Sequence, residues 1–412
     1  MLALLLAIVC VVSFADRVAG QTPDDDEDAE VDRAAGPDDD DEDARVDAEA
    51  LRRQAAGRTD RPLVGQLEIV LTAELEAPAS TQAAVLGRTA FVPIRGGRLT
   101  AVNLDSGAIG WVVGAAAEHP PAAGDGLVFL ATADGLTAVE ASGATRWSLP
   151  VAGGFSAPPL WDTGWLIAAT RSGEVLCLRA RDGHVFWTRR VAAPVTARPA
   201  IAGERVYVSL EDGNVTALEL PTGNVAWERR LGGRGATPLA LDDRLFVGST
   251  DKFFYCLSTE DGKRRWRWRA GGAVVSEPVV DARHVYFSGL NNVLRALDRF
   301  NGSQKWITGV PLRPLGGPLL LGDLVFLAGV GAEARAFSTS DGRLVAEYTG
   351  AVDLAAAPQL IPHAVPEFST VLLLTRGGQL QLLRRHLDVP ILPLTQPFGV
   401  PVPLVPPPGF TG

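Results

Sequence analysis

The stretch TGNVAWERRL, residues 222–231, sets Gly223 four positions before Trp227 and closes on Arg229 and Arg230. The same Trp recurs at Trp111, Trp147, Trp187, Trp227, Trp266 and Trp306, with spacings of 36, 40, 40, 39 and 40. Each follows a glycine by four: Gly107, Gly143, Gly183, Gly223, Gly262 and Gly302. A seventh glycine, Gly342, points to Ala346, so that repeat has lost its Trp. Self-similarity at about forty residues marks a repeat architecture, in which one supersecondary unit is stacked many times.

A second ruler is a proline opening each unit: Pro78, Pro120, Pro158, Pro199, Pro238, Pro278, Pro318 and Pro358. Between the rulers lie alternating segments such as RVYVSL and HVYFSG. They are joined by tight-turn pairs at Gly96-Gly97, Asp134-Gly135, Ser172-Gly173, Asp212-Gly213, Asn291-Asn292 and Gly377-Gly378. No helical periodicity interrupts them, so each unit reads as four short antiparallel strands with the Trp on the last. The expected fold is therefore all-β, an eight-bladed β-propeller. The last unit lacks a strand of its own in the Trp position. The segment QLEIVLTAEL, residues 66–75, alternates as a half-buried strand does and is expected to complete that C-terminal blade. Leu67 lies 11 residues before Pro78, the spacing of Trp227 to Pro238, and is read as the Trp equivalent.

A Trp buries a large area while its ring N–H needs one acceptor, which suits it to docking one blade on the next. The six Trp residues are therefore read as structural blade-docking residues, and the Trp-less seventh blade as the weakest contact of the ring. Ten positions before the Trp the chain holds Ala101, Ala217 and Ala296, but Cys177 and Cys256 in two blades. Cysteine here reads as a small apolar residue in a tight slot, and two blades apart the pair cannot bridge.

The pattern Ala296-Leu-Asp298-Arg-Phe-Asn301-Gly302-Ser-Gln-Lys-Trp306, with Ala217-Leu-Glu219-Leu-Pro-Thr222-Gly223-Asn-Val-Ala-Trp227, resembles the pyrroloquinoline quinone (PQQ)-like repeat family over residues 66 to about 386. That family includes quinoprotein dehydrogenases and also non-catalytic, BamB-like outer-membrane assembly proteins, the nearest functional analogues. WD40 propellers end a strand in Trp-Asp; the one such pair here, Trp161-Asp162, lies in an opening strand.

Outside the repeats the composition changes sharply. Residues 1–20 read as a secretory signal: LALLLAIVCVVSFA is too short to span a bilayer comfortably and leads to small residues before Gln21, although no Lys or Arg precedes it. Cys10 would be the lipidated residue of a lipoprotein, but Val9 precedes it and the apolar run continues past it. Residues 21–62 form an acidic low-complexity spacer expected to be disordered. Its core, 23–49, has 15 acidic residues against Arg33 and Arg45. Those thirteen net negatives against a chain total of −10 leave +3 for everything else. A calcium loop is excluded there, because an EF-hand needs a central Gly and a terminal Glu at fixed offsets. The propeller is assigned to residues 63–388 and a Pro-rich extended tail to 389–412, expected to lie over the propeller or be disordered, with docking of a partner as the sharper alternative.

The search for chemistry returns little. There is no Cys-Cys pair of the kind quinoprotein alcohol dehydrogenases hold against their cofactor, no C-x-x-C-H haem site, and no metal-ligand spacing among His119, His184, His284, His363 and His386. Gly329-Val-Gly331-Ala-Glu-Ala334 matches a dinucleotide fingerprint but falls at a strand-to-strand hairpin with no helix after it. KRRWRWR, residues 263–269, interleaves basic and aromatic residues; strand period puts Trp266 and Trp268 on one face and Arg265, Arg267 and Arg269 on the other. That is read as a charged edge that blocks sheet-to-sheet pairing, not as a nucleic-acid site. The residue before each opening Pro is expected to face the axial channel, where His119, Arg198 and Glu277 could converge on a small anionic ligand. Two readings emerge. One is an exported, monomeric, non-catalytic scaffold in the periplasm or at the outer membrane, with no cofactor, an envelope protein as partner, and membrane contact only through a lipid or that partner. The other is a quinone-binding oxidoreductase or ligand sensor that uses PQQ with calcium in the channel.

Overall fold

The computed structural model describes residues 65–386 and the single position Glu49; the expected signal, the acidic spacer apart from Glu49, and the Pro-rich tail lie outside the described residues. Strands β1 to β32 in chain order build eight four-stranded antiparallel blades. Seven are contiguous in sequence: 84–114, 122–150, 160–190, 200–230, 239–269, 279–309 and 319–349. The eighth joins β30 (Gln359–Ile361), β31 (Thr370–Leu374) and β32 (Gln379–Arg385) to β1 (Gly65–Glu74), so the two ends of the propeller share one sheet. Pro-rich or glycine-rich connections and the hairpins between second and third strands lie on one face of the ring, the connection face. The other hairpins and the turn glycines lie on the opposite, turn face.

Each interior strand is apolar on both sides, as in RVYVS (205–209) and NVTALE (214–219), because neighbouring blades cover both faces. The outer strands are half exposed and alternate, as in VAWERR of β17 (Val225–Arg230). Every docking Trp pairs with a small residue, ten positions earlier in five blades, as Ala217 with Trp227 and Cys256 with Trp266, and nine earlier for Ala138 with Trp147, and a bulge follows in each blade. The bulge aims the indole at the following blade, over that blade's turn glycine. A Cβ on Gly143, Gly183, Gly223, Gly262, Gly302 or Gly342 would lie 2.5 to 3.0 Å from the preceding blade's indole. Five indoles donate Nε1–H to a backbone carbonyl of the same turn, at Ala141, Ala180, Leu220, Thr259 and Thr339, at 2.8 to 3.0 Å. Trp266 packs the same way, yet its buried Nε1 has no acceptor.

Pairing register corrects two sequence expectations. In the eighth blade Leu382 pairs with Leu71 and Leu383 with Ile69, with the bulge between, so Leu71 and not Leu67 holds the Trp position. Its side chain lies over Gly107, the turn glycine of the first blade. Leu67 has a different task. β1 also pairs parallel with β29 (Leu344–Thr349) through Gly65 with Ala346, and Leu67 is buried in the cluster that contains Ala346, Val371 and Leu383. It packs into the seventh junction, where the loss of Trp at Ala346 marks the expected weakest contact of the ring.

The opening-proline ruler is also shifted in three blades. The first strands begin at Ala84, Ala122 and Leu160, so the opening positions are Ala83, Pro121 and Pro159, not Pro78, Pro120 and Pro158. Two of these are the second members of Pro-Pro doublets, and spacing alone cannot choose within a doublet. Gln82 Nε2 bonds the carbonyl of Ala357, and Gln359 Nε2 that of Ala83, tying the first blade to the eighth.

Candidate functional site

With the register set, the residue before each opening position is Gln82, Pro120, Pro158, Arg198, Thr237, Glu277, Gly317 or Ala357. All but Pro120 line one axial cavity of about 570 Å³. Ser276 and Ser288 add hydroxyls, and Leu290, Pro314 and Leu315 an apolar side. These positions face inward because the first strand of each blade is the innermost, and a proline at the opening position, present in all blades but the first, holds the residue before it extended. Gly317 is needed there: a Cβ would come within 2.2 Å of the Glu277 carbonyl oxygen of the neighbouring blade.

The structure brings together two of the three channel candidates. Arg198 and Glu277 share the cavity, and the Arg198 charge acts on the Glu277 carboxyl. Glu277 exposes surface to the channel yet is ringed by protein atoms. This desolvation raises its carboxyl above the ordinary value of 4.5, with Arg198 opposing the rise. His119 does not converge on them. Because the second blade opens at Pro121, His119 is one residue removed from the inward position. Its Nε2 lies 3.1 Å from the carbonyl oxygen of Phe155. It borders a separate depression of about 480 Å³ with Arg171, Glu211 and Arg234, and the Arg171 guanidinium is 3.2 Å from Glu118. Reading by proline spacing missed Gln82, Ser276 and Ser288, since isolated serine and glutamine carry no pattern that announces a channel.

For a calcium–quinone site the axial cavity supplies few anionic donors. Calcium takes six to eight oxygen ligands, whereas the axial cavity offers one carboxylate. Among the described residues no three His, Cys, Asp or Glu side chains gather. Cys177 and Cys256 are buried inside blades, and burial pushes each thiol up to about 12. The glycine pattern at 329–334 is the β27 to β28 hairpin (Leu324–Ala328 to Glu333–Ser338), as its strand context indicates.

The surface is more differentiated than the channel. β21 (Arg264–Arg269) places Arg267 over the Phe253 ring at 4.6 Å and Arg265 2.8 Å from Asp243, on the face opposite Trp266. The charged outer edge is thus anchored in its own blade. On the connection face four large aliphatic side chains stand out: Val275, Leu290, Val330 and Val352 are 40 to 57% exposed. They belong to consecutive connections and hairpins from the fifth blade to the eighth, so they form an arc beside the channel mouth. The same face carries Arg95, Arg171 and Glu211 on the first, third and fourth blades and Arg234 on the connection to the fifth.

A family model described as outer membrane protein assembly factor BamB matches residues 135–241 and 211–356. The chain is similar to the outer membrane protein assembly factor BamB of Moranella endobia, 25% identical over 274 residues, covering 64% of this chain and 62% of that protein. The match thus spans less than two thirds of that relative's length. Among solved structures, BamB from Moraxella catarrhalis aligns with TM-score 0.63 and 20% identity over 77% of this chain and 99% of its own. A quinohaemoprotein alcohol dehydrogenase from Pseudomonas putida aligns with TM-score 0.62 and 14% identity over 78% and 76%. At such identities the structural likenesses speak to the fold alone.

Proposed function

The chain belongs to the family described as outer membrane protein assembly factor BamB, and from that premise we propose that it is an exported, non-catalytic scaffold of the bacterial envelope whose connection face docks an outer-membrane assembly protein. The observation that carries this reading is the aliphatic arc of Val275, Leu290, Val330 and Val352. Scattered exposed apolar residues need no explanation, but four on blade tips and connections of one face, with Val275 and Leu290 lining the axial cavity, make apolar surface of the kind that marks interaction sites. The charged residues on the remaining blades of that face supply a polar rim. Catalysis finds no matching support: the channel holds one carboxylate and one guanidinium, with no nucleophile and base in contact.

The test is site-specific photocrosslinking in envelope membranes. A crosslinker at Leu290 or Val330 is expected to capture an outer-membrane assembly protein, one at Ala141 on the turn face is not, and Val330→Glu should abolish capture at Leu290 without lowering Tm. Equal capture from both faces would remove the docking assignment. The quinone reading is tested separately by adding PQQ and calcium to purified protein. A bound-cofactor spectrum or a melting shift that Glu277→Gln removes would replace the scaffold reading.

A further inference from the structure

The seam between the eighth and first blades differs from the other junctions. With Leu71 in place of an indole, a groove of about 410 Å³ remains on the turn face, walled by Leu71, Leu104, Ile361, Pro362, Phe368 and Leu382. Around it Ile69, Val70, Val365 and Phe368 are 41 to 45% exposed, a second aliphatic and aromatic patch. The hairpin between the first two strands has two or three residues in the seven contiguous blades. In the eighth it has eight, 362–369, including a 3-10 turn at Pro366–Phe368. That insertion supplies Val365 and Phe368, and His363 stacks edge-on against Phe368 with centroids 5.7 Å apart. The groove's charges are largely spent on other partners: Arg88 holds Asp105, and Arg384 holds Glu68 at 2.7 Å.

We propose that this groove is the docking site of the chain's own C-terminal segment, with residues 389–398 laid across the seam as a latch. The described chain ends at the groove's rim, where His386 Nδ1 lies 3.1 Å from Glu68 Oε2, beside the groove-lining Arg384. The sequence continues as VPILPLTQPF, residues 389–398, without a charge after Asp388 and with a proline at every third or fourth position. Such a segment takes an extended, left-handed form whose backbone needs no ladder partner, so it binds through side chains in an apolar, aromatic-lined groove. At ~3.1 Å per residue, Ile391 is ~16 Å and Phe398 ~37 Å of chain from His386, so Ile391 and Leu392 come within range of the groove without a long linker and Phe398 follows along the seam. Covalent tethering makes the contact intramolecular and favours this occupant over a free one. Leu71 leaves space where an indole would stand, and the latch fills it. This assignment is independent of the connection-face partner proposed above.

The test uses the full chain carrying Cys10→Ser and paired new cysteines, since Cys177 and Cys256 are buried. Under mild oxidation Val365→Cys with Thr395→Cys is expected to form an intramolecular disulfide, identified by peptide mapping, at least tenfold faster than Ala192→Cys with Thr395→Cys, where residue 192 is exposed on the connection face. Equal rates, or a link found only between two chains, would overturn the proposal. As a second measurement that needs no cysteine, Leu392→Asp with Phe398→Asp should raise hydrogen exchange in β1 at least threefold, with the fourth blade unaffected. Unchanged exchange in β1 would overturn it equally.

Discussion

Trp227 and Gly262 offer a direct measurement of how one blade is fastened to the next. The Trp227 side chain is 8% exposed, donates Nε1–H to the Thr259 carbonyl at 3.0 Å, and lies 5.9 Å from the Tyr207 ring within its own blade. A buried Trp removes ~150–250 Å² from water, or ~4–6 kcal/mol gross at ~25 cal/mol per Å². Trp227→Ala should then cost ~4 kcal/mol, within the range seen for such truncations. The Thr259 carbonyl keeps Arg205 and Tyr207 as donors, so no orphaned acceptor adds to that cost. With ~2.1 cal/mol/K of unfolding entropy per residue over roughly 320 residues, the expected fall in Tm is ~6 °C. Gly262→Ala attacks the same contact from the other side: φ is +70° and the new Cβ would meet the indole at 2.6 Å. Left-handed strain costs ~1–2 kcal/mol and overpacking ~1–3 kcal/mol, for a total of ~3 kcal/mol. In the Trp227→Ala background the clash is gone and only the strain remains. Urea titrations of the four proteins should therefore give a double mutant ~2 kcal/mol more stable than the sum of the single effects predicts. Additivity within ~0.5 kcal/mol would show that the indole does not lie on Gly262 and would refute the docking geometry.

Ala346→Trp restores the repeat's motif residue but should destabilise by ~1–3 kcal/mol, because Leu67 already occupies that junction; a gain in Tm would show the junction to be open. The raised carboxyl of Glu277 means the folded state binds more protons than the unfolded chain once pH passes the ordinary value of 4.5, so this group subtracts stability as pH rises from there toward the raised value. Glu277→Gln should raise Tm at pH 7 and lose that advantage below about pH 4.5, and a pH-independent difference would count against the desolvation argument. Cys177 and Cys256, with thiols pushed up to about 12 and no exposed surface, should resist maleimide at pH 7 in native protein and label fully in denaturant, as peptide mapping that separates them from Cys10 would show; labelling of either in the native state would mean the blades open.

The fold was legible because its local rules are repeated. A Gly four before a Trp, a small residue ten before it, and a period of forty state the same blade again and again, so the blade count, the strand carrying the Trp, and the N-terminal closure could all be read from residues 66–386. The alternation in KRRWRWR likewise announced which side chains would share a face. Register was not legible, because a strand's alternation survives a shift of two or four residues and a Pro-Pro doublet reads equally well from either member. Only cross-strand pairing placed Leu71 at the Trp position, released Leu67 to fill the seventh junction, and took His119 off the channel axis while leaving Arg198 and Glu277 on it. The partner of each Trp was hidden for a related reason. The indole and the glycine it covers lie 32 to 36 residues apart in different blades, and a repeat shows that such contacts recur but not which neighbour receives them. The aliphatic arc and the seam groove have no local signature at all: they exist because ring closure sets loops from separate blades side by side, a consequence of tertiary geometry alone.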